Sequence, residues 1–534
     1  MIRSQIKKSI ITAIKKDFGI ISPADFSLGM TENSEYGDYS TNAALVLAKT
    51  IKKNPMEIAR RVIENLVGFK KIEVASPGFI NLWLSDQMLY KELTEILKAK
   101  NLYGKPEIKG LGSKINLEFI SANPTGPLTI GNGRGAFLGD ALARILQFAG
   151  YKVTREYYIN DAISSTQIQE LGKTILGQGE AYRGLYTDEI KKRLKEKYFS
   201  LEKMDEGQAG YLAAREIQRD NRGFIEKILR IKFDVWYSEE QLYKKKQIKK
   251  VVNRLNQEGH LYEKEGALWF RSTQFGDSED RVALRSGGAP TYFLPDVAYH
   301  AEKLTQKKFD KVIDILGADH HGTFPRVLAG LKALGIDSNR VEVIFTQIVR
   351  LIRKGKEIKM SKRRGEFVTL EELIKETGLD GARYFFLEKS PATHMDFDLD
   401  LAKERSVKNP VYYIQYAHVR IASIFRFAKN RPSRASNFQL PAYGLLREGE
   451  EIDLIKKLIH FPEIIEDTAR DYRVHRLTRY AYELARVFHN FYEKCRIITE
   501  NKELTAVRLA LAEATKIVLH NTLDLLDISA PEKM

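Results

Sequence analysis

Ile2, Ile6, Ile10 and Ile14 recur every fourth residue at the start of the chain, the spacing of one helix face. The stretch Met1 to Lys16 is basic and has no acids, as a mitochondrial transit peptide would be, but a folded helix accounts for the spacing equally well and is preferred. Ala59 to Leu66 reads as helix. Lys71 to Leu84 reads as paired strands broken at the turn sequence Ser76-Pro77-Gly78. These elements predict a small α+β domain over residues 1–108.

From Lys114 the pattern changes. Ile115, Leu117 and Phe119 alternate with Asn116 and Glu118, which predicts a strand with one apolar and one polar face. After a loop, a helix opens near Asn132 with Leu138, Leu142, Ile145, Leu146 and Ala149 on one side, and Gly150 stops it. Val153, Tyr157 and Ile159 form the next strand. A β-α-β unit of this kind builds doubly wound parallel sheets. A charge-rich stretch over 167–288, with Lys244-Lys245-Lys246 and Lys249-Lys250, reads as an insertion whose lysines line a solvated helical face. The sheet pattern resumes at Val312, Ile313, Ile315 and Leu316, turns at Gly317 to Gly322, and continues through a helix to a strand at Val341 to Phe345. Residues 351–358 read as a tight hairpin. Thr369-Leu370-Glu371-Glu372 reads as a capping box. Beyond about Asp400 only helical periodicity remains, which predicts a bundle. The expected fold is α/β: a doubly wound, Rossmann-like parallel-sheet catalytic domain over 109–398, interrupted by the insertion. An α+β domain precedes it and an all-α bundle over 399–534 follows.

Composition narrows the partners. The 534 residues carry a net charge of +16, which favours a polyanion, nucleic acid before membrane. No apolar run reaches the ~18 residues a membrane span needs. A single cysteine, Cys495, excludes an intrachain disulfide and a cysteine zinc cluster, and fits a reducing cytoplasm.

Candidate chemistry gathers at two loops. The turn from Glu118 to Asn132 falls where open parallel sheets bind ligands, beyond the carboxyl ends of the strands. Gly131, Gly133 and Gly135 permit close backbone approach, and the helix start behind them suits a nucleotide phosphate. Tight helix–strand packing is the alternative for the glycines. Lys359-Met360-Ser361-Lys362-Arg363, after the hairpin, concentrates cations that would stabilise charge building on phosphate oxygens.

Residues 121–135, Ser-Ala-Asn-Pro-Thr-Gly-Pro-Leu-Thr-Ile-Gly-Asn-Gly-Arg-Gly, resemble the signature segment of arginyl-tRNA synthetases. Lys359-Met360-Ser361-Lys362 matches the second signature of class I aminoacyl-tRNA synthetases. The first class I signature is His-x-Gly-His, and here the frame gives Thr129-Ile130-Gly131-Asn132, so both histidines are absent. Asn132 keeps an amide donor and Thr129 a shorter, neutral one. The resemblance implies catalytic roles for Lys359, Lys362, Thr129 and Asn132, and ATP contacts from Pro127, Gly131, Gly133, Met360 and Ser361. Lys362 would hold the leaving pyrophosphate and Lys359 would help close the loop. Arg134 is a candidate substitute for the missing histidines, with capping or packing as its plainer role.

An arginine pocket must meet a planar fork of donors with carboxylates in fixed orientation. The segments around Glu118 and Thr291 to His300 look like the family's arginine-binding segments. By that resemblance Glu118 and Asn123 hold the substrate's ammonium and carboxylate, Tyr292 and Asp296 face its guanidinium, and His320 is a further candidate. An edge-of-strand acid, a surface acid and a satisfied turn histidine are the plain alternatives for Glu118, Asp296 and His320. Asn160 and Asp161, in a further family-like segment, are expected near ATP or substrate.

Residues 35–42 and 74–81 look like the N-terminal domain of bacterial-type arginyl enzymes, which reaches the tRNA's outer corner. Tyr36 and Tyr39 then suit stacking on unpaired bases, with core packing as the alternative. Residues 409–420 resemble the anticodon-binding domain and supply Tyr412, Tyr416 and Arg420, with basic residues following at Arg426, Lys429, Arg431 and Arg434. The tail ending in Met534 also matches the family's.

The resemblance implies ATP-dependent ligation of L-arginine to tRNA(Arg) through an arginyl-adenylate, by a cytoplasmic monomer. Mg2+ would arrive with ATP, without a dedicated protein metal site, and in this family the first step generally needs bound tRNA. The rivals are another class I synthetase, which the cation-binding set argues against, and a tRNA-binding protein that lost catalysis through Thr129 and Asn132. The intact lysine loop argues against that loss.

Overall fold

The computed structural model describes residues 1–31, 33–106, 112–358, 368–429 and 440–534. The helix Ile2–Phe18 buries Ile2, Ile6, Ile10 and Ile14 and ends at Gly19 in the left-handed conformation (φ 71°). It packs on the helix Pro55–Glu64, which Asn54 caps by accepting from the Met56 N–H at 2.8 Å. Beside them lies an antiparallel sheet of β1 (Leu28–Met30), β2 (Tyr39–Thr41), β3 (Phe69–Ala75) and β4 (Phe79–Leu84), in the order β1-β2-β4-β3. Arg3 ties this domain to the C-terminal bundle through Glu466 at 2.5 Å and Asp467 at 3.0 Å.

The central sheet is parallel throughout. Its strands are β5 (Lys114–Glu118), β6 (Lys152–Ile159), β7 (Val235–Ser238), β11 (Lys311–Gly317) and β12 (Val341–Thr346), in the order β12-β11-β5-β6-β7. Helices cover it, so β5 is buried on both faces, including the face read as polar: Asn116 and Glu118 are both buried. The alternation along β5 therefore marks enclosed polar chemistry instead of a solvent face.

The stretch 167–288 is not wholly an insertion, because β7 lies inside it and completes the main sheet against β6. Before β7, the helices Thr166–Leu176, Leu185–Lys197 and Glu206–Lys227 share a separate apolar core. After it, β8 (Leu261–Lys264), β9 (Ala267–Phe270) and β10 (Arg281–Leu284) form a small antiparallel sheet.

Beyond β12 comes the expected hairpin, β13 (Val349–Arg353) against β14 (Lys356–Ile358), turning on Lys354 (φ 51°) and Gly355 (φ 71°). Two successive positive φ values are what a two-residue hairpin turn requires. The strand β15 (Met395–Asp398) joins β13 in parallel. Thr369 and Glu372 form the predicted capping box on the helix Leu370–Thr377. From Pro410 onward the described chain is helical, a bundle built on Pro410–Lys429, Gly449–Ile459, Phe461–Asp471, His475–Lys494 and Lys502–Leu525. Fully buried Arg383 binds it to the sheet domain, pairing with Asp140 and Asp527 at 2.8 Å each. No helix among the described residues is long and apolar enough to cross a membrane.

Candidate active site and RNA-facing surfaces

The helix after β5, Ile130–Phe148, starts at Thr129. The Asn132 side-chain oxygen accepts from the Thr129 N–H at 2.9 Å and from the Thr129 hydroxyl at 3.0 Å. The two residues that stand in the histidine positions thus cap the helix, and only the carboxamide N–H groups of Asn132 are left to donate outward. Gly131 is exposed at this tip, and Pro127 is half-buried just before it. Gly133 does not fit its expected ATP contact: it is buried, and a Cβ there would lie 2.8 Å from the Leu370 side chain and 3.1 Å from Phe386. Its hydrogen serves helix packing. Arg134 is no substitute for a histidine either. It is buried and donates to the carbonyls of Gln347 (3.0 Å), Thr393 (2.7 Å) and Ser390 (2.6 Å), stapling the helix to the strands beyond.

Lys359, Met360, Ser361 and Lys362 lie outside the described residues, but the chain on either side of them is placed. It leaves β14 at Ile358 and returns at Thr369, which forms a bridge with Thr129, while the Leu370 N–H donates to the Leu128 carbonyl at 3.0 Å. The chain that follows the second signature therefore rejoins the fold beside the first.

Glu118 ends β5. One carboxylate oxygen accepts from the Ser121 hydroxyl at 3.0 Å and the other from Lys303 at 2.8 Å. The exit from β5 is strained, with Ile120 at φ 70° and Ser121 at φ 35°. The Ser121 hydroxyl receives the Tyr158 N–H at 3.1 Å, so the turn is held to the end of β6. Asn123 is exposed on this turn. Asn160 donates to the Ser121 carbonyl at 3.3 Å, and Asp161 accepts from the Ser238 hydroxyl at 2.8 Å and the Glu240 N–H at 3.2 Å. Both residues shape the crevice by holding its walls together.

Asp296 lies in the helix Phe293–Ala301. Though only partly covered, it is ringed closely enough by protein that burial, with Glu118 and Asp314 nearby, lifts its carboxyl to about 7. Glu239 immediately follows β7, and burial together with Asp296, Asp161 and Glu240 lifts it to about 8. Carboxyls crowded together in a poorly solvated crevice form a site for a cation. Sequence reading missed Glu239 because it missed β7. Tyr158 was also missed. Its buried hydroxyl has no hydrogen-bond partner among the described residues, and the field of Glu239, Asp296 and Glu118 acts on it. Tyr292 is 68 % exposed at the rim, its hydroxyl 3.4 Å from that of Thr166. His320 stands exposed in the turn after β11, with Asp319 at 3.8 Å.

The RNA-facing expectations divide. Tyr36 is 55 % exposed, but Tyr39 is fully buried, and its hydroxyl donates to Glu463 of the bundle. Tyr39 has no face for a base, because its ring is spent on the seam between two domains. On the helix Pro410–Lys429, Tyr412 and Tyr416 stack at 6.1 Å, and the Arg420 guanidinium lies 4.7 Å from Tyr416 and 4.5 Å from Tyr492. The helix His475–Lys494 completes this surface with exposed Tyr482 and Tyr492, and buried His489 packs beneath Tyr413 and Tyr416. The spacing of these aromatics was readable, but alone it also describes a core. The tail runs back along the helix Pro410–Lys429, with Pro531 accepting from His418 at 2.8 Å and Glu532 from Arg426 at 2.8 Å, and Met534 is exposed. Arg431 and Arg434 lie outside the described residues.

A parallel sheet with a nucleotide-type strand–helix turn and an acidic crevice, together with the second signature in the sequence between β14 and Thr369, defines a class I aminoacyl-tRNA synthetase. Comparison with known proteins gives the particular family. The model of the class I (R) tRNA synthetase catalytic domain matches residues 92–424, that of the arginyl tRNA synthetase N terminal domain residues 2–84, and that of the DALR anticodon binding domain residues 414–534. The arginine–tRNA ligase of Desulforamulus reducens is 42 % identical over all of this chain and 99 % of its own length. That of Bacillus subtilis is 43 % identical over 94 % of this chain and 93 % of its own. Thermus thermophilus arginyl-tRNA synthetase superposes over the full length of both chains with a TM-score of 0.80 at 21 % identity, a likeness of fold. The chain belongs to the arginyl-tRNA synthetase family.

Proposed function

We propose that the chain ligates L-arginine to tRNA(Arg) in two steps, with Glu118 and Asn123 holding the α-ammonium and carboxylate, and Asp296, Glu239 and Tyr292 the guanidinium. The acidic crevice carries the pocket: burial with neighbouring carboxylates lifts Asp296 to about 7 and Glu239 to about 8. In the first step a substrate carboxylate oxygen bonds to the α-phosphorus of ATP and the bond to the bridging oxygen breaks, releasing pyrophosphate. The carboxylate is already ionised and needs no base, so positioning and charge stabilisation supply the catalysis. Lys359 and Lys362 take the pyrophosphate charge, and the Asn132 carboxamide N–H groups and Gly131 meet the nucleotide. In the second step a hydroxyl of the tRNA's terminal ribose attacks the arginyl carbonyl and AMP leaves.

Mg2+ enters on the phosphates of ATP. Tyr36 meets the body of the tRNA. Tyr412, Tyr416 and Arg420, with Tyr482, Tyr492 and Met534, meet unpaired bases. The enzyme works as a cytoplasmic monomer. Arginine-dependent exchange between ATP and pyrophosphate, measured with and without tRNA, tests the assignment: exchange with arginine supports it, and exchange with another amino acid overturns the pocket.

A further inference from the structure

Lys303 is the only buried lysine among the described residues. It sits in the π-helical turn Glu302–Gln306, a departure from regular helix found mostly at functional sites. Its ammonium lies 2.8 Å from Glu118, 3.3 Å from Asp314 and 3.9 Å from the centre of the Tyr299 ring. Glu118 and Asp314 are register partners on the adjacent parallel strands β5 and β11, so two carboxylates meet side by side out of water. Such a pair needs cations between its members. Asp314 has a second one: His300 donates through Nδ1 to the Asp296 carbonyl at 2.7 Å, which leaves Nε2 to face Asp314 at 2.6 Å as a donor only when the ring is charged. With His300 also facing Asp314, Lys303 makes its shorter contact, 2.8 Å against 3.3 Å, to Glu118.

We propose that Lys303 is a positioning residue for arginine. With Ser121 on the other oxygen, it locks the Glu118 carboxylate so that its remaining lone pairs face the substrate's α-ammonium. The inference rests on reading Glu118 as the ammonium-binding group.

The test is steady-state kinetics of the full-length enzyme, with tRNA present, for Lys303→Met, Glu118→Gln and the double variant. Lys303→Met is expected to raise KM for arginine by about tenfold or more, with KM for ATP within about twofold, and to add nothing further in the Glu118→Gln background. A full additional loss in that background, or equal changes in both KM values, would overturn the proposal, since Lys303 would then act independently of Glu118. An unchanged arginine KM in Glu118→Gln would overturn the underlying reading of Glu118. A raised arginine KM there beside a normal one in Lys303→Met would overturn the Lys303 proposal alone. If Lys303→Met does not fold, Lys303→Arg, which keeps the charge but moves the donors, is expected to raise the arginine KM selectively. An unchanged value would overturn the proposal.

Discussion

The Asn132 carboxamide oxygen accepts two hydrogen bonds from Thr129, at 2.9 Å from the main-chain N–H and 3.0 Å from the hydroxyl. The pair that replaces two histidines is thus a helix cap on one side and a donor of N–H groups on the other. The two roles separate by substitution. Asn132→Asp keeps an acceptor at a helix N-terminus and is expected to leave the melting temperature unchanged or raised. It removes the outward donors, and arginyl-adenylate formation should fall by about 100-fold. Asn132→Ala should lose the rate and also about 1 kcal/mol of stability. Thermal melts beside pyrophosphate exchange check both.

Arginine affinity should depend on pH. In the free site burial and neighbouring carboxylates hold Asp296 at about 7 and Glu239 at about 8, so both are partly protonated near neutrality. A guanidinium favours the ionised forms, so binding expels protons, and affinity should rise with pH and level off above about 8. Calorimetry at pH 7.5 in buffers of different ionisation heat should show net proton release, reduced in Glu239→Gln. Affinity independent of pH, with no release, would mean the carboxyls are ionised before arginine arrives.

Tyr36 and Tyr39 should respond oppositely. Tyr39→Phe leaves buried Glu463 without its hydroxyl donor and is expected to cost about 1–3 kcal/mol in stability, read by denaturant unfolding, with tRNA affinity unchanged. Tyr36→Ala should weaken tRNA binding and leave unfolding unchanged.

On the bundle, replacing Tyr492 by Ala should weaken tRNA binding by about 1–3 kcal/mol, the worth of one stacked base. The Arg420 guanidinium packs on the Tyr492 ring at 4.5 Å, so Arg420→Ala combined with Tyr492→Ala should cost less than the sum of the two. Filter binding of tRNA at fixed salt measures all three variants.

Long periodic elements were legible in sequence: the isoleucine face of the first helix, the β5-helix-β6 unit, the hairpin and the capping box at Thr369. What escaped was set by context. β7 is four residues, Val-Trp-Tyr-Ser, between charged stretches, too short to show a period, and its identity as a sheet strand comes only from pairing with β6. With it went Glu239. The polar face of β5 was legible but not its burial, because alternation records polarity and cannot say what covers it. Tyr39 and Gly133 have the residue types of ligand-binding positions, but long-range neighbours, Glu463 for one and Leu370 with Phe386 for the other, turn them to packing.

In the proposed arginine-activating site, Asn132 and the lysine loop serve where histidines are absent. The most direct measurement is arginine-dependent ATP–pyrophosphate exchange with tRNA present, in the parent and in Lys362→Ala. The account predicts exchange in the parent, supported by no other amino acid. It also predicts a loss of about 3–4 kcal/mol in transition-state stabilisation in Lys362→Ala, with arginine affinity nearly unchanged. Tight tRNA binding without exchange in the parent, or an unchanged rate in Lys362→Ala, would contradict it.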